Sequence, residues 1–266
     1  MRLSGAVALV TGGSSGIGAA TAKVLAEAGV QLLITGRDRE CLEAVAQNTG
    51  GLAFQADLSS ADEVADLAGR ALRAAARLPP GHATQPGAPA GIDILVNNAG
   101  VGWLGPTAEM TRAKVAELVA VNLVAPIELT RLLAPGMTAR GQGQVVFVSS
   151  IVGAVGVQGE AVYAAAKAGL ACFAESLAYE LSPQLGVSVI VPGVVDTPFF
   201  KRRGQLYGRR RPVPIPAERV ARAVMSALER DRRTVYVPQW MWVPARLHGA
   251  APEVYRFLAS RFGDPR

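Results

Sequence analysis

Cysteine and histidine are scarce. Among 266 residues there are two of each: Cys41 and Cys172 with no CxxC, and His82 and His248. A disulfide scaffold is excluded, few ligands remain for a Cys/His zinc site, and no metal is expected. The two thiols are expected to be free and buried, in a reducing compartment. Aromatic residues make up 6% of the chain and charged residues 18%, against 50% hydrophobic. That composition excludes disorder and allows a sizeable core. No run of about 18 uninterrupted apolar residues occurs, so no membrane span is expected. The apolar stretch at 5–10 is too short for a secretory signal and leads straight into glycines. A cytoplasmic protein is the expectation.

An excess of charge is also less than it looks. The formal net charge is +6, but Lys201, Arg202, Arg203, Arg209, Arg210 and Arg211 lie together in 201–211 without an acid. Without those six, basic and acidic residues balance at 21 each. A nucleic-acid binder spreads positive charge over a face or a recognition helix, so no nucleic-acid partner is expected. The basic segment is a local feature.

What is present is an alternation. Short β-branched runs at 6–10, 31–35, 52–55, 92–96, 144–149, 187–191 and 234–237 are near-continuously apolar, as parallel strands buried on both faces must be. Ala-rich stretches of helical period lie between them at 17–29, 39–48, 60–76, 111–139, 160–182 and 217–230. Strand followed by helix, repeated, predicts βαβ units: an α/β, doubly wound, Rossmann-type parallel sheet of about seven strands, in one domain. Gly29 is placed as a helix C′ residue, and Ser59 or Ser60 as an N-cap ahead of Asp62 and Glu63. Residues 79–91, which include His82, read as an exposed loop inserted before the fourth strand.

Thr11-Gly12-Gly13-Ser14-Ser15-Gly16-Ile17-Gly18 ends the first strand and opens the first helix. In that context glycines let the backbone approach a pyrophosphate that faces N–H groups and the positive helix end. A P-loop would need Gly-Lys-Ser/Thr at its end; Ala19 follows Gly18, so an NTPase is excluded.

The GxxxGxG spacing resembles the short-chain dehydrogenase/reductase family, and three further segments sharpen the resemblance. Asn97-Asn98-Ala99-Gly100 follows the fourth strand, Ser150 lies thirteen residues before Tyr163 of a YxxxK ending at Lys167, and Pro192-Gly193 follows the sixth strand, with Thr197 after it. The matches span residues 6–200, in the family's order. Tyr163 and Lys167 stand one helical turn apart on one face. An ammonium there would favour the phenolate of a phenol that otherwise titrates near pH 10. The resemblance implies catalytic roles for Asn122, Ser150, Tyr163 and Lys167. Tyr163 would act as general acid or base, Ser150 would hydrogen-bond the substrate oxygen, and Lys167 would hold the ribose. The backbone at Asn122 would bind a relay water. Strand alternation turns Ser149 away, and Asn97 is expected to tie strands while Asn98 faces the cofactor.

The cofactor set is Gly12, Ser14, Ser15, Gly16, Ile17, Gly18, Arg37, Asp57, Leu58, Asn98, Ala99, Gly100, Tyr163, Lys167, Pro192, Gly193, Val195 and Thr197. NADP(H) is expected over NAD(H). Gly36 stands where NAD-selective relatives place an acid, and Arg37 offers a charge-assisted contact to a 2′-phosphate. The plainer reading of Arg37 is a solvated charge, with Asp38 capping the next helix. Relatives that prefer NADP often carry a base where this chain has Ser15. Residues 199–216 are expected to form a substrate lid, and Trp240 to Val243 a pocket wall, a subunit contact or a membrane-surface contact. The substrate is a small carbonyl or alcohol. A carrier-bound 3-oxoacyl group, or a nicotinamide-binding sensor without turnover, are the alternatives. The resemblance implies pairing through the helices at 111–139 and 160–182, and hence a homodimer or homotetramer.

Overall fold

The computed structural model describes residues 3–79, 91–205, 207–208 and 212–262. Seven parallel strands form one sheet: β1 (Val7–Thr11), β2 (Gln31–Gly36), β3 (Leu52–Gln55), β4 (Ile94–Asn97), β5 (Gln144–Val148), β6 (Gly186–Pro192) and β7 (Thr234–Val237). Their order is β3-β2-β1-β4-β5-β6-β7. The chain therefore winds outward one way from β1, then crosses back beside it and winds the other way. The crevice at this reversal, at the carboxyl ends of β1 and β4, is where a doubly wound sheet accepts a ligand.

Alternation along the buried strands sorts side chains into two layers. Leu9, Leu33, Leu95 and Phe147 meet α3 (Ala61–Ala75), α4 (Arg112–Ala139) and α5 (Ala161–Leu181) on one face. Val10, Ile34, Val96 and Val146 meet α1 (Gly16–Glu27), α2 (Arg39–Thr49) and α6 (Ala217–Arg230) on the other. Both faces of the inner strands are thus apolar, which is why their runs do not alternate in sequence, while β3 at the sheet edge is largely exposed. By length and composition α4 and α5 could each cross a membrane, yet here they pack against the sheet.

Local chemistry sets the boundaries. Asp38 accepts from Cys41 N at 3.0 Å and Ser60 accepts from Glu63 N at 3.3 Å, capping α2 and α3. Gly29, at φ 78°, ends α1 as a C′ residue. Three expectations need correction. Cys41 and Cys172 are exposed, each on the side of its helix turned away from the sheet. The fourth strand begins at Ile94, with buried Asp93 accepting Val7 N at its foot. The helix expected at 111–139 contains a π turn, Ala120–Val124. Of the loop at 79–91, residues 80–90 with His82 lie outside the described residues, as do Arg209, Arg210 and Arg211 of the basic segment.

The predicted lid starts as a short helix, Phe199–Arg202, and passes Gly204 at φ 90°. It is closed at its base by a two-residue parallel pair, Val195–Asp196 with Ile215–Pro216. Residues 240–243 form the junction of two short helices, with Trp240, Trp242 and Val243 about half exposed.

Candidate active site

A cleft of about 360 Å³ runs from the glycine loop to α5. Every residue expected at the site lines it except Gly18 and Asn122. Gly12 takes φ 65°, and a Cβ there would stand 2.8 Å from Ala99 Cα, so only glycine lets the β1 and β4 loops close together. Gly18 sits behind the loop: a Cβ would lie 2.2 Å from Gly12 O and 2.6 Å from Asn98 Nδ2. Its place is the contact between helix and loop, and it does not reach the cleft.

The two asparagines divide their work differently from the expectation. Asn98 Nδ2 donates to Thr11 O at 2.8 Å and to Gly12 O, and its N–H reaches Thr11 Oγ1, so Asn98 straps β4 to β1 while also lining the cleft. Asn97 instead donates from buried Nδ2 to Thr130 in α4.

Ser150, the second residue beyond β5, caps the short helix Ile151–Ala154, its Oγ accepting Val152 N at 3.3 Å. Ser149, expected to turn away, also lines the cleft; its hydroxyl donates to Lys167 O at 3.0 Å, fixing α5 against the strand end. Tyr163 and Lys167 come off the first two turns of α5, both buried. Lys167 Nζ donates to Val148 O at 2.9 Å. Asn122, in the π turn, is fully buried: Oδ1 accepts Val101 N, and Nδ2 donates to Val101 O and Leu118 O. Gly100 brings these groups together, since a Cβ there would stand 2.9 Å from Asn122 Oδ1 and 3.7 Å from Lys167 Nζ.

The electrostatics correct one expectation. Lys167 was expected to acidify the phenol, but Nζ lies 6.0 Å from the Tyr163 ring centre and is committed to Val148 O. Burial pushes the Tyr163 phenol above its ordinary value, and the Glu160 carboxylate pushes the same way. A hydrogen bond with Ser150 and the charge of Arg203 pull it back without prevailing. Burial also lowers Lys167, from 10.5 to about 8. The phenol is thus held protonated, ready to give a proton.

Several residues lining the cleft were given no site role by sequence reasoning, Glu160, Phe199, Arg202 and Arg203 among them. Glu160 occupies the N-cap of α5 but does not cap it; its Oε1 instead pairs with Arg203 Nη1 at 3.0 Å, both side chains nearly buried. Arg202 Nη2 donates to Ser15 Oγ at 2.7 Å. Phe199 lies against Tyr163 with ring centres 5.7 Å apart. Two adjacent arginines at the end of the Phe199–Arg202 helix therefore reach different parts of the cleft. Separations of 43 and 187 positions carry no periodic signal. Arg37, half exposed, makes a 3.5 Å contact with Glu117, and Asp57 holds both N–H and hydroxyl of Ser59.

Residues 6–207 match the family model for short chain dehydrogenases. The chain belongs to the short-chain dehydrogenase/reductase family. Within it, nodulation protein G of Rhizobium sp. (strain N33) is 35% identical over 229 residues, covering 85% of this chain and 88% of that protein. The 3-oxoacyl-acyl-carrier-protein reductase of Vibrio cholerae serotype O1 is 31% identical over 240 residues, covering 86% and 90%. Among solved structures, a short-chain dehydrogenase from Sphingobium yanoikuyae in complex with NADPH superposes with a TM-score of 0.79 at 26% identity, covering 98% and 96%. A family member of this kind is an oxidoreductase that uses a nicotinamide dinucleotide, and the cleft fits one. The glycine cradle that a Cβ would fill, and the α1 N-terminus beside it, suit a pyrophosphate.

Proposed function

We propose that this protein interconverts a carbonyl and a secondary alcohol, using NADP(H). The observation that carries the reading is the convergence of Ser150, Tyr163 and Lys167 at one end of a cleft whose other end is the glycine loop. When bound, the dinucleotide donates or accepts the hydride. Gly12, Ser14, Ser15, Gly16 and Ile17 would hold its pyrophosphate end, with Asp57, Leu58, Ala99 and Gly100 along the adenine and ribose. Pro192, Gly193, Val195 and Thr197 would face the carboxamide.

In reduction Tyr163 gives the phenol proton to the substrate oxygen, and in oxidation it takes one back. Ser150 hydrogen-bonds that oxygen and steadies the charge building on it. Lys167 spends one donor on Val148 O and keeps two for ribose hydroxyls. Asn122 holds the turn beside Lys167 from which the proton is replenished. The preference for NADP(H) is supported by Gly36, which brings no anion to the ribose rim, and by Arg37, whose half-exposed guanidinium is only loosely engaged by Glu117. Val124 and Tyr179, exposed on α4 and α5, support pairing of subunits through these helices.

Substitution Tyr163→Phe tests the reading. Turnover of a ketone and alcohol panel, followed by NADPH absorbance, should fall by about 10²–10⁴-fold while NADPH affinity holds. Undiminished turnover would remove the proton donor from the scheme. A second reading, reduction of a carrier-linked 3-oxoacyl thioester, is supported by exposed Lys201 on the lid and by the likeness to the Vibrio reductase. A strong preference for acyl thioesters over free ketones in the same panel distinguishes it.

A further inference from the structure

The cleft's adenosine rim carries a cation from a distant part of the chain. Ser14 and Ser15 lie on one side of this rim, and Gly36 and Arg37 at the end of β2 on the other, all lining the cleft. The two sides meet closely, since a Cβ on Gly36 would stand 3.0 Å from Ser14 Oγ. No carboxylate enters there from position 36. Ser15 is the N-cap of α1, yet its hydroxyl caps nothing; it accepts Arg202 Nη2 at 2.7 Å. Arg202 itself lines the cleft, and its charge is felt by Asp38, another lining residue. The Asp38 carboxylate is occupied as the cap of α2, accepting Cys41 N, and Asp57, also on the lining, accepts both N–H and hydroxyl of Ser59. Two guanidinium groups, from Arg37 and Arg202, therefore line a rim that offers hydroxyls and an α-helix N-terminus, its two carboxylates being engaged locally.

We propose that Arg202, carried on the lid, is a ligand for the 2′-phosphate of NADP(H) and sets cofactor preference together with Arg37. This deepens the NADP(H) reading and rests on it. A phosphate monoester is the group this arrangement suits: two guanidinium groups and two serine hydroxyls match its several acceptor oxygens, and charge-assisted bonds to it are strong. A bare 2′-hydroxyl would leave Arg37 with only its 3.5 Å contact to Glu117, and Arg202 with Ser15 Oγ and the already occupied Asp38. Arg203, the next residue, is already drawn to Glu160 beside Tyr163. The same four-residue helix thus bears on the two ends of the cofactor cleft, and phosphate capture at one end favours the lid position seen at the other.

The test is direct binding, without turnover. NADPH and NADH are titrated by fluorescence into the full chain and into Arg202→Ala, Arg202→Lys and the pair Ser15→Arg with Arg202→Ala. Adenosine 2′,5′-bisphosphate and adenosine 5′-monophosphate are titrated by calorimetry. Arg202 is exposed, so the variants should fold, and matching melting temperatures verify this. The expectation for Arg202→Ala is about a tenfold or greater loss of affinity for NADPH and for the bisphosphate, with NADH and the monophosphate unchanged. Arg202→Lys should retain part of the affinity, and Ser15→Arg should restore it by supplying a guanidinium from the other side of the same contact. If the parent prefers NADPH but Arg202→Ala weakens both dinucleotides equally, or neither, the role of Arg202 is overturned while the cofactor reading stands. If the parent binds NADH as tightly as NADPH, that reading fails and the proposal falls with it.

Discussion

Lys167→Met is expected to stabilise the protein at neutral pH even as it destroys the site. Lys167 is 3% exposed, and burial lowers its ammonium from 10.5 to about 8. That gap corresponds to about 3 kcal/mol by which folding disfavours the charged form at pH 7. Methionine has similar reach and no charge, so it removes the penalty. It also strips Val148 O of the donor at 2.9 Å, which costs about 1–2 kcal/mol in return. The net expectation at pH 7 is a gain of about 1–2 kcal/mol.

The pH dependence is the sharper test. From about 8 to 10.5 the folded lysine has lost its proton while the unfolded one keeps it. The unfolded chain binds more protons in that window, so the parent gains stability as pH rises and the variant does not. The variant's advantage should be full below pH 8, shrink through the window and reverse above it, leaving only the Val148 loss. Urea denaturation of both proteins without added cofactor, at steps from pH 7 to 11, measures the difference. A gap that stays flat or widens with pH would refute the reasoning, whatever happens to turnover.

Glu160→Gln removes the carboxylate that holds the Tyr163 phenol up and frees Arg203 to pull it down. The rising limb of the alcohol-oxidation pH profile should move to lower pH, and an unmoved limb would exclude Glu160 from the proton's environment. Gly18→Ala forces a Cβ to within 2.2 Å of Gly12 O although it never enters the cleft. A loss of about 1–3 kcal/mol in stability is expected together with weaker dinucleotide binding; unchanged melting temperature and affinity would show that helix and loop are not packed as described.

The sheet and most of the site were legible because they are written locally. Parallel strands buried on both faces must be continuous apolar runs, and Leu9 with Val10, or Phe147 with Val146, supply one residue to each layer. Glycines 12, 16 and 18, the YxxxK pair and the Ser150 offset are likewise short-range spacings. What escaped depends on tertiary approach. Arg202 bonds Ser15 and Arg203 bonds Glu160, partners that no period connects. In sequence the basic run reads as one local feature, but these two of its members engage the cleft. The π turn escaped for another reason: Ala120, Val121, Leu123 and Val124 are ordinary helix residues, and nothing in their order marks a wider turn. Exposure of Cys172 was misjudged because α5 is apolar nearly all round, which hides which side faces outward.

That wider turn has a cost for evolution as well as for prediction. A π turn accommodates one residue more than an α-helical turn, so helix α4 carries a register offset at Asn122. Deleting a single residue there would close the turn to a regular helix and leave the downstream side chains on their present faces, whereas a deletion further along α4 would swing everything beyond it by about 100°. In the first case Leu129 and Leu133 stay in the core and Thr130 keeps Asn97. What the deletion at the turn would remove is the seat from which Asn122 holds Val101, so chain length in this stretch is set by the site, not by the layer behind it.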